Sequence, residues 1–207
     1  MRTAIYLFTF LLTAITAAQE ETTSFINRGG YELNGSLSFS TSKINRENGF
    51  QSESRGTLII FRPQLGYAVK NDFVLGLGLG FSYSESRNET ANVDDINSST
   101  SYAITPFVKK YFNISKNFAF NLQGEIGYSL SSINSTNNQL EDNSSNEISL
   151  GIRPGISYRI NEKLALQSQI GFLGYSQGNL DNDDTTVSSF NVSLNAQDFT
   201  IGISYFF

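Results

Sequence analysis

From Phe73 to Tyr83 the chain alternates without a break: Phe73, Leu75, Leu77, Leu79, Phe81 and Tyr83 fall on one side, and Val74, Gly76, Gly78, Gly80 and Ser82 on the other. A strand sends successive side chains to opposite faces, so this segment carries one apolar face and one small or polar face. The pattern returns in Phe118, Phe120, Leu122, Gly124, Ile126, Tyr128 and Leu130 against Asn121, Gln123, Glu125, Gly127 and Ser129. It returns again in Ile148, Leu150, Ile152, Pro154, Ile156, Tyr158 and Ile160 against Ser149, Gly151, Arg153, Gly155, Ser157 and Arg159. Tyr31 to Phe39, Ile59 to Val69, Tyr102 to Val108, Leu164 to Phe172 and Phe199 to Phe207 complete a set of eight predicted strands. The seventh offers Leu164, Leu166, Ile170 and Phe172 as its apolar face. Slips of phase near Leu173 to Tyr175, and between Val192 and Phe199, predict bulges of the kind that collect at barrel rims.

The connections alternate in length. Lys70 to Asp72, Asn113 to Asn117 and Asn161 to Lys163 read as short turns, whereas about Arg46 to Ser54, Arg87 to Ser99, Asn134 to Asn146 and Gly178 to Ser189 read as long polar loops. Short turns at one rim and long loops at the other are the layout of an up-and-down transmembrane barrel, which has no free edge to leave unpaired in lipid. The expected fold is therefore all-β, an eight-stranded antiparallel up-and-down transmembrane β-barrel. All three prolines, Pro63, Pro106 and Pro154, fall on the apolar face of strands that run toward a short turn, so a locally disturbed ladder is expected at each.

Alternation alone does not say which face points outward, because a soluble ligand-binding barrel would put the apolar set inside. Aromatic placement breaks the symmetry. Tyr67, Phe73, Tyr111, Phe112, Phe118 and Tyr158 sit near the short turns, and Phe61, Phe81, Tyr83, Tyr102, Tyr128 and Phe172 toward the long loops. Ten steps from Phe73 to Tyr83, at ~3.3 Å each and a tilt of about 40°, rise roughly 25 Å, the height of the apolar band in such barrels. Aromatic residues favour both membrane interfaces. The other face, with Glu32, Arg62, Glu85, Lys109, Glu125, Arg153 and Arg159, is then the lumen.

Composition narrows the chemistry. With 17 Phe and 10 Tyr the chain suits strands, and with no His and no Cys it lacks the usual general base, the commonest neutral metal ligand and any disulfide. No cofactor and no catalytic constellation is expected. The first residues, Met1-Arg2-Thr3, an apolar run from Ala4 to Ala14 and the small residues Thr16-Ala17-Ala18 form a secretory signal peptide over residues 1–18, leaving residues 19–207 as one barrel domain. Without Arg2 that domain carries 13 basic and 19 acidic residues, a net −6, which argues against nucleic acid as a partner.

The last residues, Phe199-Thr200-Ile201-Gly202-Ile203-Ser204-Tyr205-Phe206-Phe207, end on an alternating strand with a terminal phenylalanine. This resembles the C-terminal signature of bacterial outer-membrane proteins, and the whole of residues 19–207 resembles the small eight-stranded barrels of the OmpX-like and OmpA-transmembrane-like group. The resemblance implies an outer-membrane location with periplasmic termini, and contact with outer-membrane lipid and lipopolysaccharide. It also implies biogenesis through periplasmic chaperones and a barrel-assembly machinery that reads Tyr205 and Phe207, and a monomeric state. The function expected is structural, adhesive or envelope-interacting through the long loops. A narrow porin-like channel or small-solute transporter is the alternative, and a secreted soluble ligand-binding barrel a second one. Glu32, Arg62, Glu125, Arg153 and Arg159 are expected to form a paired, lumen-filling charge network, since buried charges are costly unless paired. Carboxylates at Asp94-Asp95, Glu141-Asp142 and Asp181 to Asp184 read as solvated loop charges.

Overall fold

The structure, a computed structural model, describes residues 24–46, 52–90, 93–135, 143–180, 186–193 and 199–207; the expected signal peptide and the carboxylates at 141–142 and 181–184 lie outside them. The strands are β1 (Tyr31–Arg46), β2 (Ser52–Lys70), β3 (Phe73–Thr90), β4 (Val93–Asn113), β5 (Phe118–Ser135), β6 (Asn143–Arg159), β7 (Leu164–Ile170), β8 (Phe172–Leu180), β9 (Thr186–Ser193) and β10 (Phe199–Phe206). Every pairing is antiparallel. Strand β6 pairs with β7 over its turn-side half and with β8 over its loop-side half, so β7 and β8 are one stave interrupted at Gly171. Likewise β9 pairs with β8 and β10 with β7, forming the last stave. Pairing of β10 with β1, from Glu32 opposite Phe206 to Ser36 opposite Gly202, closes an eight-stranded barrel.

Which face looks outward is settled by exposure. Leu37 is 70% exposed, Leu79 56% and Ile203 58%, whereas Glu32, Lys109 and Asn121 are each 1% exposed. Apolar side chains that in a soluble barrel would be the core form the outer surface here, and polar ones are the core. Such a surface is favourable only against acyl chains.

The strands run well beyond the apolar band. Arg87 to Ser99, read from sequence as a loop, belongs to the β3–β4 hairpin, whose register continues to Thr90 opposite Val93. Twenty steps along β4 rise roughly 50 Å at the usual tilt, about twice the band, so the hairpin stands clear of the membrane. Once strands are paired below, continuing the ladder pairs the backbone groups of a Ser- and Asn-rich segment with one another in place of water.

The prolines interrupt the ladder where their missing N–H should point. Between β2 and β3 no pairing is made at Arg62 and Pro63, and between β4 and β5 none at Thr105 and Pro106. At Pro154 the effect is larger. Ile152 pairs with Leu173 but Gly155 with Gln169, so three steps on β6 face four on its neighbour, and the extra residue falls by Gly171 at φ 124°. That left-handed backbone suits glycine and marks a bulge.

The bulge reverses the faces beyond it. Leu166 points outward before it and Leu173 and Tyr175 after it, which is the slip expected from the sequence. Phe172, placed on the outer face by the sequence pattern, is turned into the lumen, where its ring lies 4.5 Å from the Arg153 guanidinium. Gly151 and Gly174 make room for it, since a Cβ at either would come within 2.4 Å of the ring. On the last stave Phe172 pairs with Ser193 and Ile170 with Phe199, so two steps correspond to six; the intervening residues 194–198 lie outside the described ones.

Candidate functional site

The lumen is built in layers along the barrel axis. At the turn end, the segment before β1 folds back into the mouth, with Phe25 2% and Ile26 5% exposed. Asp72 holds it. The tight turn between β2 and β3 puts Asp72 at φ 61°, and its carboxylate accepts from the backbone N–H of Phe25 at 2.6 Å and of Ile26 at 3.1 Å. The side-chain amide of Asn113 donates to the other oxygen at 2.7 Å. Phe25 stacks on Tyr111 at 4.9 Å and meets Phe206 edge-on at 5.8 Å. Arg159 covers both rings, 4.5 Å from Phe25 and 5.3 Å from Phe206, and donates to the carbonyls of Phe25 and Glu162.

Above this plug lies a fully buried polar layer centred on Glu32. Its Oε1 accepts from Lys109 Nζ at 2.8 Å, Gln167 Nε2 at 2.8 Å and Ser204 Oγ at 3.4 Å, and its Oε2 accepts from Tyr111 Oη at 2.8 Å. Gln167 Oε1 in turn accepts from Asn34 at 3.0 Å and from Lys109 at 3.3 Å. Four staves, those of β1, β4, β7 and β10, contribute to this layer, so it ties the barrel across its diameter as well as around its wall. A dry carboxylate with a cation and several neutral donors meets the condition under which a buried ion pair is tolerated.

Higher still, Arg153 Nε donates to Glu125 Oε1 at 2.6 Å, and Gln123 donates to Glu125 Oε2 at 3.0 Å. Around this pair, glycines at 78, 80 and 127 and serines at 101, 129 and 149 leave a cavity of about 280 Å³. A space of about 20 Å³, lined by Asn34, Ser36, Arg62, Gln64, Gln167, Gln169 and Gly202, lies between that cavity and the Glu32 layer. At the loop side, Glu53 sits against Lys43 at 3.0 Å and against Arg55. Hydrogen bonds from those two cations hold the Glu53 carboxyl below its usual range.

The residues expected to form one charge network therefore occupy three levels. Glu32 lies in the buried layer with Lys109, Glu125 pairs with Arg153, and Arg159 sits in the turn-side mouth on aromatic rings. Arg62 lines the cavity with its side chain exposed, and among the described residues that side chain makes no hydrogen bond or ion pair. Tyr205 and Phe207 face outward in the turn-side girdle, where Phe207 stacks on Tyr31 at 5.5 Å and Tyr31 meets Tyr67 at 5.0 Å.

Besides Phe172, two placements differ from the sequence reading. Tyr111, counted with the outer aromatic girdle, is 1% exposed inside the lumen. Its parity with Phe107 and Lys109 carried that signal. Glu85, counted as luminal, shares the face of Tyr83, whose hydroxyl donates to it at 2.7 Å. Phe25, Asp72 and Phe206 were not singled out at all; for Phe206 the even position between Tyr205 and Phe207 was the available clue, while nothing in the local sequence announces the plug.

Residues 6–207 match the family described as outer membrane protein beta-barrel domain. Among solved structures, the outer membrane protein OprG of Pseudomonas aeruginosa superposes with a TM-score of 0.52 at 11% identity, over 87% of this chain and 97% of that one. Neisserial surface protein A aligns at 18% identity with a TM-score of 0.44, over 86% and 96%. The attachment invasion locus protein Ail of Yersinia pestis aligns at 17% identity with a TM-score of 0.40, over 87% and 99%. No curated protein matches in sequence.

Proposed function

Since the chain belongs to the outer membrane protein beta-barrel domain family, and so is a β-barrel of the outer membrane, we propose that it works as a non-conducting, non-enzymatic barrel whose long loop-side hairpins carry its interactions with the envelope or its surroundings. The observation that carries this reading is the closed lumen. Phe25 and the Glu32 layer fill the turn-side half, and the free space leading to them, about 20 Å³, holds roughly one water molecule. An ion crossing there would have to displace paired, buried charges. The absence of histidine from the sequence agrees with a non-enzymatic role.

Under this reading residues 1–18 are removed on export, the termini lie in the periplasm, and Tyr205 and Phe207 are read during assembly, with lipopolysaccharide around the loop-side half. In planar bilayers the protein is expected to give no reproducible current steps above the empty-membrane baseline. Steady single-channel openings would overturn the reading in favour of a narrow channel.

A further inference from the structure

On the outer wall, Leu75, Val108, Gly124, Ile152 and Leu173 form one row of the sheet across five staves, each paired with the next. Gly124 brings no side chain, so the row is dented at its centre. One row toward the loops, Pro106 stands where β4 and β5 make no pairing. Together they leave an apolar hollow of about 740 Å³ in the lipid-facing surface, within the range of ligand pockets, about 300–1,000 Å³. Internal packing does not demand the dent. A Cβ at Gly124 would meet only Val108, at an ordinary 3.4 Å, whereas at Gly76 or Gly151 it would come within 2.3 Å of a luminal ring. Lys110 lies one row toward the turns, about 7 Å of strand from Val108, paired with Phe73 and Leu122. Its neighbours Lys109 and Tyr111 are buried in the lumen, so Lys110 stands on the outer face beside Phe73, where the apolar band begins. The turn-side rim around it is positive in a chain of net charge −5. Arg28, Lys70, Lys116 and Lys163 are exposed there, and Glu162 is the one exposed acid among the described rim residues.

We infer that this hollow is a binding site for an anionic phospholipid of the turn-side leaflet, one acyl chain lying over Gly124 and the phosphate meeting Lys110. The inference rests on the barrel standing in a membrane, and is independent of what the loops do and of whether the lumen conducts. An empty hollow forfeits dispersion contacts along its lining, and a flexible chain of methylenes regains them. The lysine stem lies along the apolar wall while its ammonium reaches the headgroup level. The positive rim attracts anionic headgroups and repels the cation of a choline headgroup. A second copy of the chain fits less well, because two convex walls meet over a narrow strip, short of the roughly 800 Å² per partner that a stable interface buries.

The test is native mass spectrometry of the protein, purified from membranes in detergent, with phosphatidylglycerol and phosphatidylcholine of the same acyl chains added in turn. Phosphatidylglycerol is expected to give a saturable one-lipid adduct at about fivefold higher affinity, the worth of one cation near the headgroups. Lys110→Gln should bring the two lipids level. Gly124→Leu, which fills the hollow and displaces about two methylenes, should weaken both about tenfold. Equal affinity for the two lipids, a preference that survives Lys110→Gln, adducts undiminished in Gly124→Leu, or two-chain masses in place of lipid adducts would each overturn the site. Gel mobility before and after boiling separates this failure from that of the barrel itself: a folded barrel shifts on boiling whether or not it holds the lipid. If either variant does not fold, methyl NMR of the unsubstituted protein decides instead. Val108 and Ile152 signals that move saturably at lower concentrations of phosphatidylglycerol than of phosphatidylcholine support the site, and unmoved signals or equal responses overturn it.

Discussion

Glu32 shows how much a single position asks of its neighbours. Its carboxylate is 1% exposed and has four donors, of which only Lys109 brings a compensating charge. Removing that charge leaves a stranded anion, so Lys109→Ala is expected to cost about 3–5 kcal/mol in urea unfolding from micelles. Tyr111→Phe removes two hydrogen bonds, the one donated to Glu32 and the one accepted from Gln167, and should cost about 1–3 kcal/mol. Replacing both charges, Glu32→Gln with Lys109→Met, should recover most of the Lys109→Ala loss. If the double variant is no more stable than Lys109→Ala, the pair is not what makes the layer costly to disturb.

Among the elements, the turn between β2 and β3 does more than reverse the chain. Asp72 combines a left-handed backbone with a carboxylate that anchors Phe25 and Ile26, and the Asp72 N–H donates back to the Ile26 carbonyl at 2.9 Å. Asp72→Gly keeps the backbone conformation while deleting the anchor. The barrel should still form, and amide exchange at Phe25 and Ile26 should quicken about tenfold or more. Unchanged exchange at those two amides would mean that packing against Tyr111 and Phe206 holds the plug without Asp72. The stave made of β7 and β8 teaches a different lesson: Phe172 and Leu173 are neighbours of similar character, and the left-handed Gly171 before them decides which one enters the lumen.

For the molecule as a whole, stability depends on apolar side chains meeting lipid and charges meeting one another inside. Leu79 lies near the middle of the outer band, and Ser101 lines the cavity on the other face. Leu79→Arg should cost about 2–4 kcal/mol in unfolding from lipid vesicles, as arginine does at the midplane of such barrels. Ser101→Arg, facing water and the cavity, should cost far less. Equal penalties would contradict the orientation of the barrel wall.

Much of this was written locally. Strict alternation from Phe73 to Tyr83 determined a strand and its two faces, though not its extension to Thr90, because side-chain direction in a strand depends on nothing beyond its own backbone. The same logic located eight staves, the short turns and the slip near Leu173. The parity of Tyr111 with Lys109, and of Phe206 between Tyr205 and Phe207, held their inward placement too, but the girdle reading followed aromatic character for Tyr111 and passed over Phe206. What the sequence left open was partnership. Glu32 meets Lys109 77 positions away and Gln167 135 positions away, and which inward residues share a level depends on how the staves are staggered around the closed wall. That stagger, together with a plug drawn from a segment lacking any strand pattern, exists only once the sheet has closed on itself.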